Sequence, residues 1–556
     1  MKKLLCSLMG LLLCVGSFSF TGCGSVDKDE FTIWIPAGID SSYYDNYSKN
    51  PVVEYISQKF DVKLKFMTPI PGEEISNFNN LVATGDYPDV MDIAYYMQSG
   101  SIVDLYDNGY GVAMDLTEYV EEYMPNYKAY LEANPNLAKT AKNDGKYLKI
   151  SGYNNALGEQ WGGFCYRRDW ISKYGKHPVT GEAFTYSGTG DDYTDDVVFP
   201  SGGTNPVTIA DWEWMFEIFS KVDGCKYSLS IPYQGFYETG DLSSGFGTSA
   251  YWSLGADGKT VRFGGTSDAF YQYLQKMREW YSKGYLDPKF DEHASDSFYA
   301  IDDSTVRQGK VGLWYGMSSQ LGNRLELDNQ PLTEGIQVWG AAQPVLNEDI
   351  TPTVMYQSSL EAVNYIVTDK AKNKNIDKLF KALDYLYSEE GSIMKTFGLN
   401  KEQYEETENA LMKREGLTDG TYKIVDGKYI NVDKVLNDGG MLASAVIADK
   451  LVGIGEMQKR GNNYTATKNN SLNQWIQYEA TGTIQTSILN QKTEDENKTY
   501  ASNQNRIRDY MAIETPKFIN GQKELNETNW KVYKAVLVSY GCDQNTQILQ
   551  SIMNRL

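Results

Sequence analysis

The sequence offers few side chains arranged for catalysis. Its two histidines, His177 and His293, stand alone, so neither a zinc site nor a Ser-His-Asp triad has the groups it needs. No Gly-x-Ser-x-Gly elbow is present. Gly258-Lys259-Thr260 looks like the end of a phosphate-binding loop, but the earlier glycine that this motif requires is Ser253. A hairpin turn at Asp257-Gly258 explains the stretch better.

Carboxylates are abundant, with 73 Asp and Glu residues in the chain. A glycosidase needs only two of them at the right separation, and nothing in the sequence favours one pair. Asp191, Asp192, Asp195 and Asp196 offer oxygen ligands for calcium, but they lack the spacing of a calcium loop. A solvated acidic loop is the favoured interpretation. The chain is therefore expected not to be an enzyme.

The N-terminus has the pattern of an export signal. Lys2 and Lys3 precede an apolar run from Leu4 to Phe20, and Thr21-Gly22-Cys23 follows. This ending resembles the lipobox of bacterial lipoproteins, which implies a signal peptide over 1–22, lipidation at Cys23 and a polar tether over 23–30. The alternatives are an uncut membrane anchor or an ordinary signal with an incidental cysteine. The expected location is the outer face of the cytoplasmic membrane.

Composition limits the function further. The chain has 556 residues, so the part after the signal is too long for one core and predicts at least two lobes. The net charge of -21 excludes a basic face for nucleic acid. Cys165, Cys225 and Cys542 are too few for a disulfide framework; free thiols are favoured over a Cys165–Cys225 bridge. The 42 Tyr and 11 Trp residues suit sugar binding, although most such rings serve packing.

The first part of the chain alternates strand and helix patterns. Residues 31–35 predict a buried strand, and Asn50 followed by Pro51 predicts the start of a helix. A strand over 62–66, an amphipathic helix closed by Gly85, and a strand over 90–94 follow. Short connections between alternating elements favour an α/β lobe with a largely parallel sheet.

Several stretches, in order along almost the whole chain, resemble extracellular solute-binding protein family 1. This is the lipoprotein substrate-binding component of carbohydrate ABC importers. The stretches are Ala83-Thr-Gly-Asp-Tyr-Pro-Asp-Val90, Tyr166-Arg-Arg-Asp-Trp170 with Lys173-Tyr-Gly175, Gly309-Lys-Val-Gly-Leu-Trp-Tyr-Gly316, Asp384-Tyr-Leu-Tyr-Ser-Glu-Glu-Gly391 with Phe397-Gly398, and Tyr540-Gly-Cys-Asp543 leading to Gln550.

The resemblance implies an α/β, periplasmic-binding-protein-like fold of type II, with two discontinuous lobes joined by a hinge. It places residues 31–155 plus 355–440 in the N-terminal lobe and 156–354 plus 441–556 in the C-terminal lobe. Ligand would lie in the cleft between them, beside the carboxyl ends of the parallel strands.

The function that the resemblance implies is capture of an oligosaccharide for an ABC permease by a lipid-anchored monomer. The expected ligand-binding residues are Tyr43, Tyr44, Asp86, Tyr95, Tyr96, Trp161, Trp252, Trp314, Tyr315 and Trp475. No cofactor is expected, because the segment 223–232 lacks the oxygen ligands of the calcium loop found in some relatives. The alternatives are a surface-anchored glycoside hydrolase and a carbohydrate-binding adhesin without a transport role.

Overall fold

A computed structural model of the chain describes residues 27–36, 42–70, 73–93, 102–106, 111–158, 160, 162–231, 242–291, 303–322, 325–327, 330–331, 335–352, 360–436, 441–462, 464–478, 482–484, 486–489 and 491–556.

Strands and helices alternate over most of this length. The strands are β1 Glu30–Trp34, β2 Lys63–Met67, β3 Val90–Asp92, β4 Ile150–Asn154, β5 Gly162–Arg167, β6 Tyr186–Ser187, β7 Thr194–Asp195, β8 Tyr227–Ser230, β9 Trp252–Leu254, β10 Val261–Phe263, β11 Val311–Met317, β12 Glu326–Leu327, β13 Gln330–Pro331, β14 Val338–Ala341, β15 Glu361–Val367, β16 Tyr422–Val425, β17 Lys428–Asn431 and β18 Ile454–Gly455.

The helices fall between these strands and after the last of them. They are α1 Pro51–Lys59, α2 Glu74–Thr84, α3 Ile102–Tyr106, α4 Thr117–Tyr123, α5 Pro125–Ala133, α6 Pro135–Ala141, α7 Arg168–Tyr174, α8 Ile209–Phe219, α9 Asp268–Ser282, α10 Asp303–Arg307, α11 Ile376–Tyr385, α12 Glu389–Phe397, α13 Lys401–Thr407, α14 Ala410–Glu415, α15 Asp433–Leu436, α16 Met441–Val446, α17 Ala466–Trp475, α18 Thr486–Leu489, α19 Glu494–Ile519, α20 Glu527–Ser539 and α21 Cys542–Arg555.

Local sequence signals explain how the first lobe begins. The Asn50 side chain accepts hydrogen bonds from the amides of Val52 and Val53, which caps α1 as predicted. Gly85 ends α2 with φ of 76°, a left-handed conformation that favours glycine. The predicted order of strand, helix, strand, helix and strand is confirmed.

The first lobe is built on a six-stranded sheet in the order β18-β4-β15-β3-β1-β2. Only β15 runs against the other strands. The sheet is buried on both faces: Phe31 and Ile33 pack into one core, and Trp34 packs into another. The edge strand β2 differs, because its residues are alternately exposed and buried.

The second lobe contains a four-stranded sheet in the order β14-β5-β11-β8, in which β5 is antiparallel to its neighbours. Phe164 and Tyr166 of β5 face one core, and Cys165 faces the other. The β9–β10 hairpin turns at Asp257-Gly258 as predicted. Cys165, Cys225 and Cys542 are free thiols, so no Cys165–Cys225 bridge is formed. The predicted two-lobed α/β class is confirmed.

The chain crosses between the lobes three times, and the third crossing lies later than predicted. The first joins β4 to β5 and the second joins β14 to β15. Residues 441–455 had been assigned to the second lobe, but Leu442, Val446 and Leu451 are buried in the first-lobe core. β18 also completes the first sheet beside β4. The chain therefore leaves the first lobe after Gly455, not near residue 440.

The acidic loop at 191–196 is not simply a solvated segment. Asp195 has a side chain only 1% exposed and is paired with Arg168, which is 2% exposed. Two hydrogen bonds join them, from Nε to Oδ2 at 2.8 Å and from Nη2 to Oδ1 at 2.6 Å. Asp195 thus fastens the Gly-, Thr- and Asp-rich insertion at residues 180–207 to the second lobe. Asp196 accepts hydrogen bonds from the amide and hydroxyl of Thr185.

Candidate ligand-binding cleft

Strand directions locate a cleft between the lobes. In the first sheet every strand except β15 ends at one edge, and in the second sheet β8, β11 and β14 end together. Each crossing of the chain runs between these two edges: from the end of β4 to the start of β5, from β14 to β15, and from β18 to α17. The carboxyl edges therefore face each other, and ligands bind at such edges in open α/β sheets.

The three crossings lie side by side where they leave the first lobe. The Asn154 amide donates to the Leu360 carbonyl at 2.6 Å, and the Asn155 amide donates to the Gly455 carbonyl at 3.0 Å. The Asn155 side chain donates to the Glu456 carboxylate at 2.7 Å. Gln458 adds two bonds, from its amide to Asn155 Oδ1 and from its side chain to the Asn155 carbonyl. These bonds couple the segments into one hinge.

Glu456 anchors this hinge to the first lobe. Its carboxylate is buried and also accepts from Ser392 Oγ at 2.8 Å, while its amide donates to Thr396 Oγ1 at 2.9 Å. On the same helix, burial lowers the pKa of the Lys395 ammonium to about 8. Sequence reasoning missed Asn155 and Glu456, because polar residues after a strand give no sign of which distant segment they bind.

Trp475 lies at the cleft edge of the second lobe. At the C-terminal end of α17 its ring covers Gly163, where a Cβ atom would lie only 2.4 Å from ring carbons. The indole N–H donates to the Phe164 carbonyl at 2.9 Å, which fixes the ring over β5. The ring is half-buried, so part of it stays exposed. Sequence reasoning singled out Trp475 but not the glycine that makes room for it.

Two predicted first-lobe tyrosines follow β1 at the cleft edge. Tyr43 is half-buried, and the Arg414 guanidinium lies 6.0 Å from its ring centroid. Tyr44 packs edge-on against Tyr47, with ring centroids 6.2 Å apart. Burial raises the pKa of the Tyr44 phenol, so it remains a neutral hydroxyl that can donate and accept.

Asp86 was predicted to bind ligand, but it lies at the wrong edge of the sheet. It is exposed and precedes β3, so it is at the amino end of a strand whose carboxyl end faces the cleft. Its amide donates to the Leu81 carbonyl at 3.2 Å as part of the turn after α2. Strand direction, which the motif does not reveal, therefore puts Asp86 at the edge of the sheet opposite the one where ligand was expected, and its assignment as a ligand contact stays a prediction.

Three aromatic residues predicted to contact ligand are buried in the second lobe. Trp314 is 0% exposed, and its indole N–H donates to Gln320 Oε1 at 3.0 Å. Tyr315 packs edge-on against Phe164 at 5.2 Å. Trp252 packs against Phe263 and donates to Thr546 Oγ1 at 2.9 Å. These three rings pack in the core clusters of the second lobe, and their assignment as ligand contacts stays a prediction.

The other predicted site residues are not covered by the described ranges. Cys23, Tyr95, Tyr96 and Trp161 lie outside the described residues. Their assignment as the lipidation site and as ligand-contacting rings stays a prediction.

A cavity of about 630 Å³ separates the lobes beside the hinge. Asn136 and Thr140 of α6 line it from the first lobe, and Leu254 and Asn554 line it from the second. Glu361, the first residue of β15, also lines it and forms a buried ion pair with Lys149. This volume lies within the range of about 300 to 1,000 Å³ typical of small-molecule sites.

Metal ligands are not clustered in the described part of the chain. Within the described ranges, no group of three or more His, Cys, Asp or Glu side chains is placed to hold a metal ion. The same ranges contain no helix long and apolar enough to cross a bilayer.

Solved structures with the same architecture are numerous. The chain aligns with an HMO-binding, ABC-transporter-associated solute-binding protein of Bifidobacterium longum infantis at 15% identity and a TM-score of 0.65, covering 95% of this chain and 99% of that one. It aligns with S. pneumoniae FusA in complex with kestose at 15% identity and a TM-score of 0.61, covering 95% of this chain and 98% of that one. It also aligns with the alginate-binding protein AlgQ2 without calcium ion at 16% identity and a TM-score of 0.61, covering 95% of this chain and 99% of that one.

These alignments define the fold over nearly the whole chain. Comparison with protein-family models and with curated protein sequences finds no match. The protein thus has the two-lobed fold of solute-binding proteins, at sequence identities too low to transfer a ligand.

Proposed function

We propose that this protein is an extracytoplasmic receptor that captures an oligosaccharide in its cleft and delivers it to an ABC transporter permease. The observation that carries the proposal is a partly exposed tryptophan, Trp475, fixed at the cleft edge of a two-lobed fold whose three crossings form one hinge. A flat ring of this kind stacks on the apolar face of a pyranose. The similar solved structures, whose names include HMO, kestose and alginate, support a carbohydrate ligand.

Ligand capture follows from the hinge geometry. A sugar held by Trp475 on one lobe and by Tyr43 and Tyr44 on the other favours the closed arrangement, because it contacts both lobes only there. Because the ligand binds the closed state more tightly than the open state, it shifts the equilibrium between them toward the closed state. Asn155 and Glu456 hold the first and third crossings together, and the bond from the Asn154 amide to the Leu360 carbonyl holds the second beside them. Tyr95, Tyr96 and Trp161 complete the proposed contacts.

The receptor role is tested by titrating the mature protein with a panel of oligosaccharides that includes HMO, fructan, mannan and alginate fragments. We expect saturable quenching of tryptophan fluorescence, a smaller radius of gyration on binding, and no release of monosaccharide. Release of monosaccharide would instead indicate a glycoside hydrolase. Binding of polymer without a change in radius would indicate an adhesin.

Membrane attachment through Cys23 is the second part of the proposal. The Thr-Gly-Cys ending of the export signal supports it, and a lipid would hold a receptor without catalytic groups beside its permease. We expect Cys23→Ala to shift the protein from the membrane fraction to the soluble fraction of cells. Its affinity for oligosaccharide should match that of the wild type. A variant that stays with the membrane contradicts lipid attachment.

A further inference from the structure

A second cavity, of about 510 Å³, opens in the second lobe near Trp475. Three segments enclose it: residues 201–208 at the end of the insertion, residues 345–351 after β14, and residues 474–478 at the end of α17. It is distinct from the cavity beside the hinge, because no lining residue is shared. Nothing in the function proposed above requires it.

Backbone contacts place this cavity at the cleft-facing edge of the lobe. The Val345 amide donates to the Val207 carbonyl at 3.0 Å, and the Ile209 amide donates to the Val345 carbonyl at 2.9 Å. These bonds hold the chain that follows the carboxyl end of β14 against the start of α8. β14 is the outer neighbour of β5, which carries Gly163 under Trp475, so the cavity and the ring lie at the same edge of this sheet.

Helix α17 connects the cavity with the tryptophan. Ser471 lies against Gly340 of β14, and Trp475 lies against Gly163 one turn further on. Gln474 precedes Trp475 in α17, and Gln477 and Tyr478 follow the end of the helix. The cavity wall and the tryptophan therefore belong to the same short stretch of chain.

The lining suits the hydroxyl groups of a neutral sugar. Asn205, Gln474 and Gln477 present amides, and Thr204 and Tyr478 present hydroxyls, so the wall offers both donors and acceptors. Asn470 Nδ2 donates to Asn205 Oδ1 at 3.4 Å, which turns the Asn205 amide toward α17. Glu348 is the ionisable side chain among the described lining residues. Its carboxylate accepts from hydroxyls and repels a sugar acid.

We propose that this cavity is an additional saccharide subsite, which takes a neutral hexopyranose unit of a chain whose neighbouring unit stacks on Trp475. This inference rests on the proposed receptor function and adds to it a preference for longer neutral oligosaccharides over short or acidic ones. The end of the insertion, residues 201–208, supplies one wall and so contributes directly to specificity.

The test compares Gln477→Ala and Asn205→Ala with Asn473→Ala, a matched control at an exposed position of α17 outside the cavity. Calorimetric titration uses neutral oligosaccharides from disaccharides to hexasaccharides. Each cavity variant should weaken binding of the longest ligand about tenfold, the cost of a lost hydrogen bond. Affinity for the shortest ligand that binds should not change, and the control should match the wild type at every length.

Hydrogen exchange gives an independent readout on the wild-type protein. The longest ligand should slow exchange of the amides of residues 201–208, whereas the shortest should not. The subsite is overturned if the cavity variants lose equal affinity for ligands of every length. It is also overturned if they lose no affinity and the ligand does not slow amide exchange at residues 201–208. Either result leaves the receptor function intact. Failure of every oligosaccharide to bind the wild type overturns both.

Discussion

Replacing Arg168 with alanine is expected to lower the free energy of unfolding of the second lobe by about 3 to 5 kcal/mol, the usual cost of breaking a buried ion pair. The variant leaves the Asp195 carboxylate, which is 1% exposed, without its bidentate partner. It also removes the Nη1 bond to the Thr204 carbonyl at 2.8 Å and the packing of the guanidinium 4.4 Å from the Trp339 ring centroid. Thermal and denaturant unfolding measure the loss.

A double-mutant cycle measures the coupling energy between Arg168 and Asp195 separately from their contacts with other residues. Arg168→Leu combined with Asp195→Leu removes both charges and should recover a large part of the loss, because no lone charge stays buried. Arg414→Ala, which breaks an exposed pair with Glu415, should cost less than about 1 kcal/mol. Strictly additive losses in the cycle would contradict an energetic coupling between Arg168 and Asp195.

The ion pair also bears on the binding surface. Thr204, whose carbonyl Arg168 binds, belongs to the wall of the proposed subsite. Arg168 therefore holds the end of the insertion in place as one wall of the cavity proposed as a subsite. Local sequence could not predict this contact, because an Asp-rich, Gly-rich segment predicts a solvated loop and the partner of Asp195 lies in a strand-to-helix junction 27 residues away.

Prediction from sequence succeeded where the signal is local. The Asn50 cap, the Gly85 stop and the apolar alternation of β1 and β2 depend on residues a few positions apart, and each element appears where expected. The lobe assignment of residues 441–455 failed because an apolar helix such as α16 is buried in either lobe equally well. The pairing of β18 with β4, some 300 residues apart in sequence, assigns these residues to the first lobe.

Aromatic residues show the same limit at the site. Trp314 lies in the apolar strand β11 and Trp475 ends the mostly polar helix α17, and both were predicted to contact ligand. One is enclosed at 0% exposure in a central strand, and the other sits on an outer helix above a glycine. Burial depends on which helix covers which strand, and this is a tertiary property that residue type does not encode. Asp86 was misplaced for a related reason, because a motif carries no strand direction.

Trp475→Ala is expected to weaken oligosaccharide binding about thirtyfold or more, the effect of removing an aromatic anchor worth about 2 kcal/mol. Gly163→Ala should weaken binding as well, since its Cβ would lie 2.4 Å from the indole and the strand cannot retreat between β11 and β14. The ring must then leave its position and its bond to the Phe164 carbonyl. Calorimetric titration measures both variants.

Trp314→Phe is the matched control, because it alters a tryptophan of the same lobe that is buried and bonded to Gln320. It should lower the unfolding temperature and leave affinity within about twofold of the wild type, since a packing defect acts on stability. Trp475→Phe keeps a ring over Gly163 and should recover much of the lost affinity without restoring the indole hydrogen bond. If Trp314→Phe weakened binding more than Trp475→Ala did, the ligand would contact the sheet interior and the cleft edge would have to be reassigned.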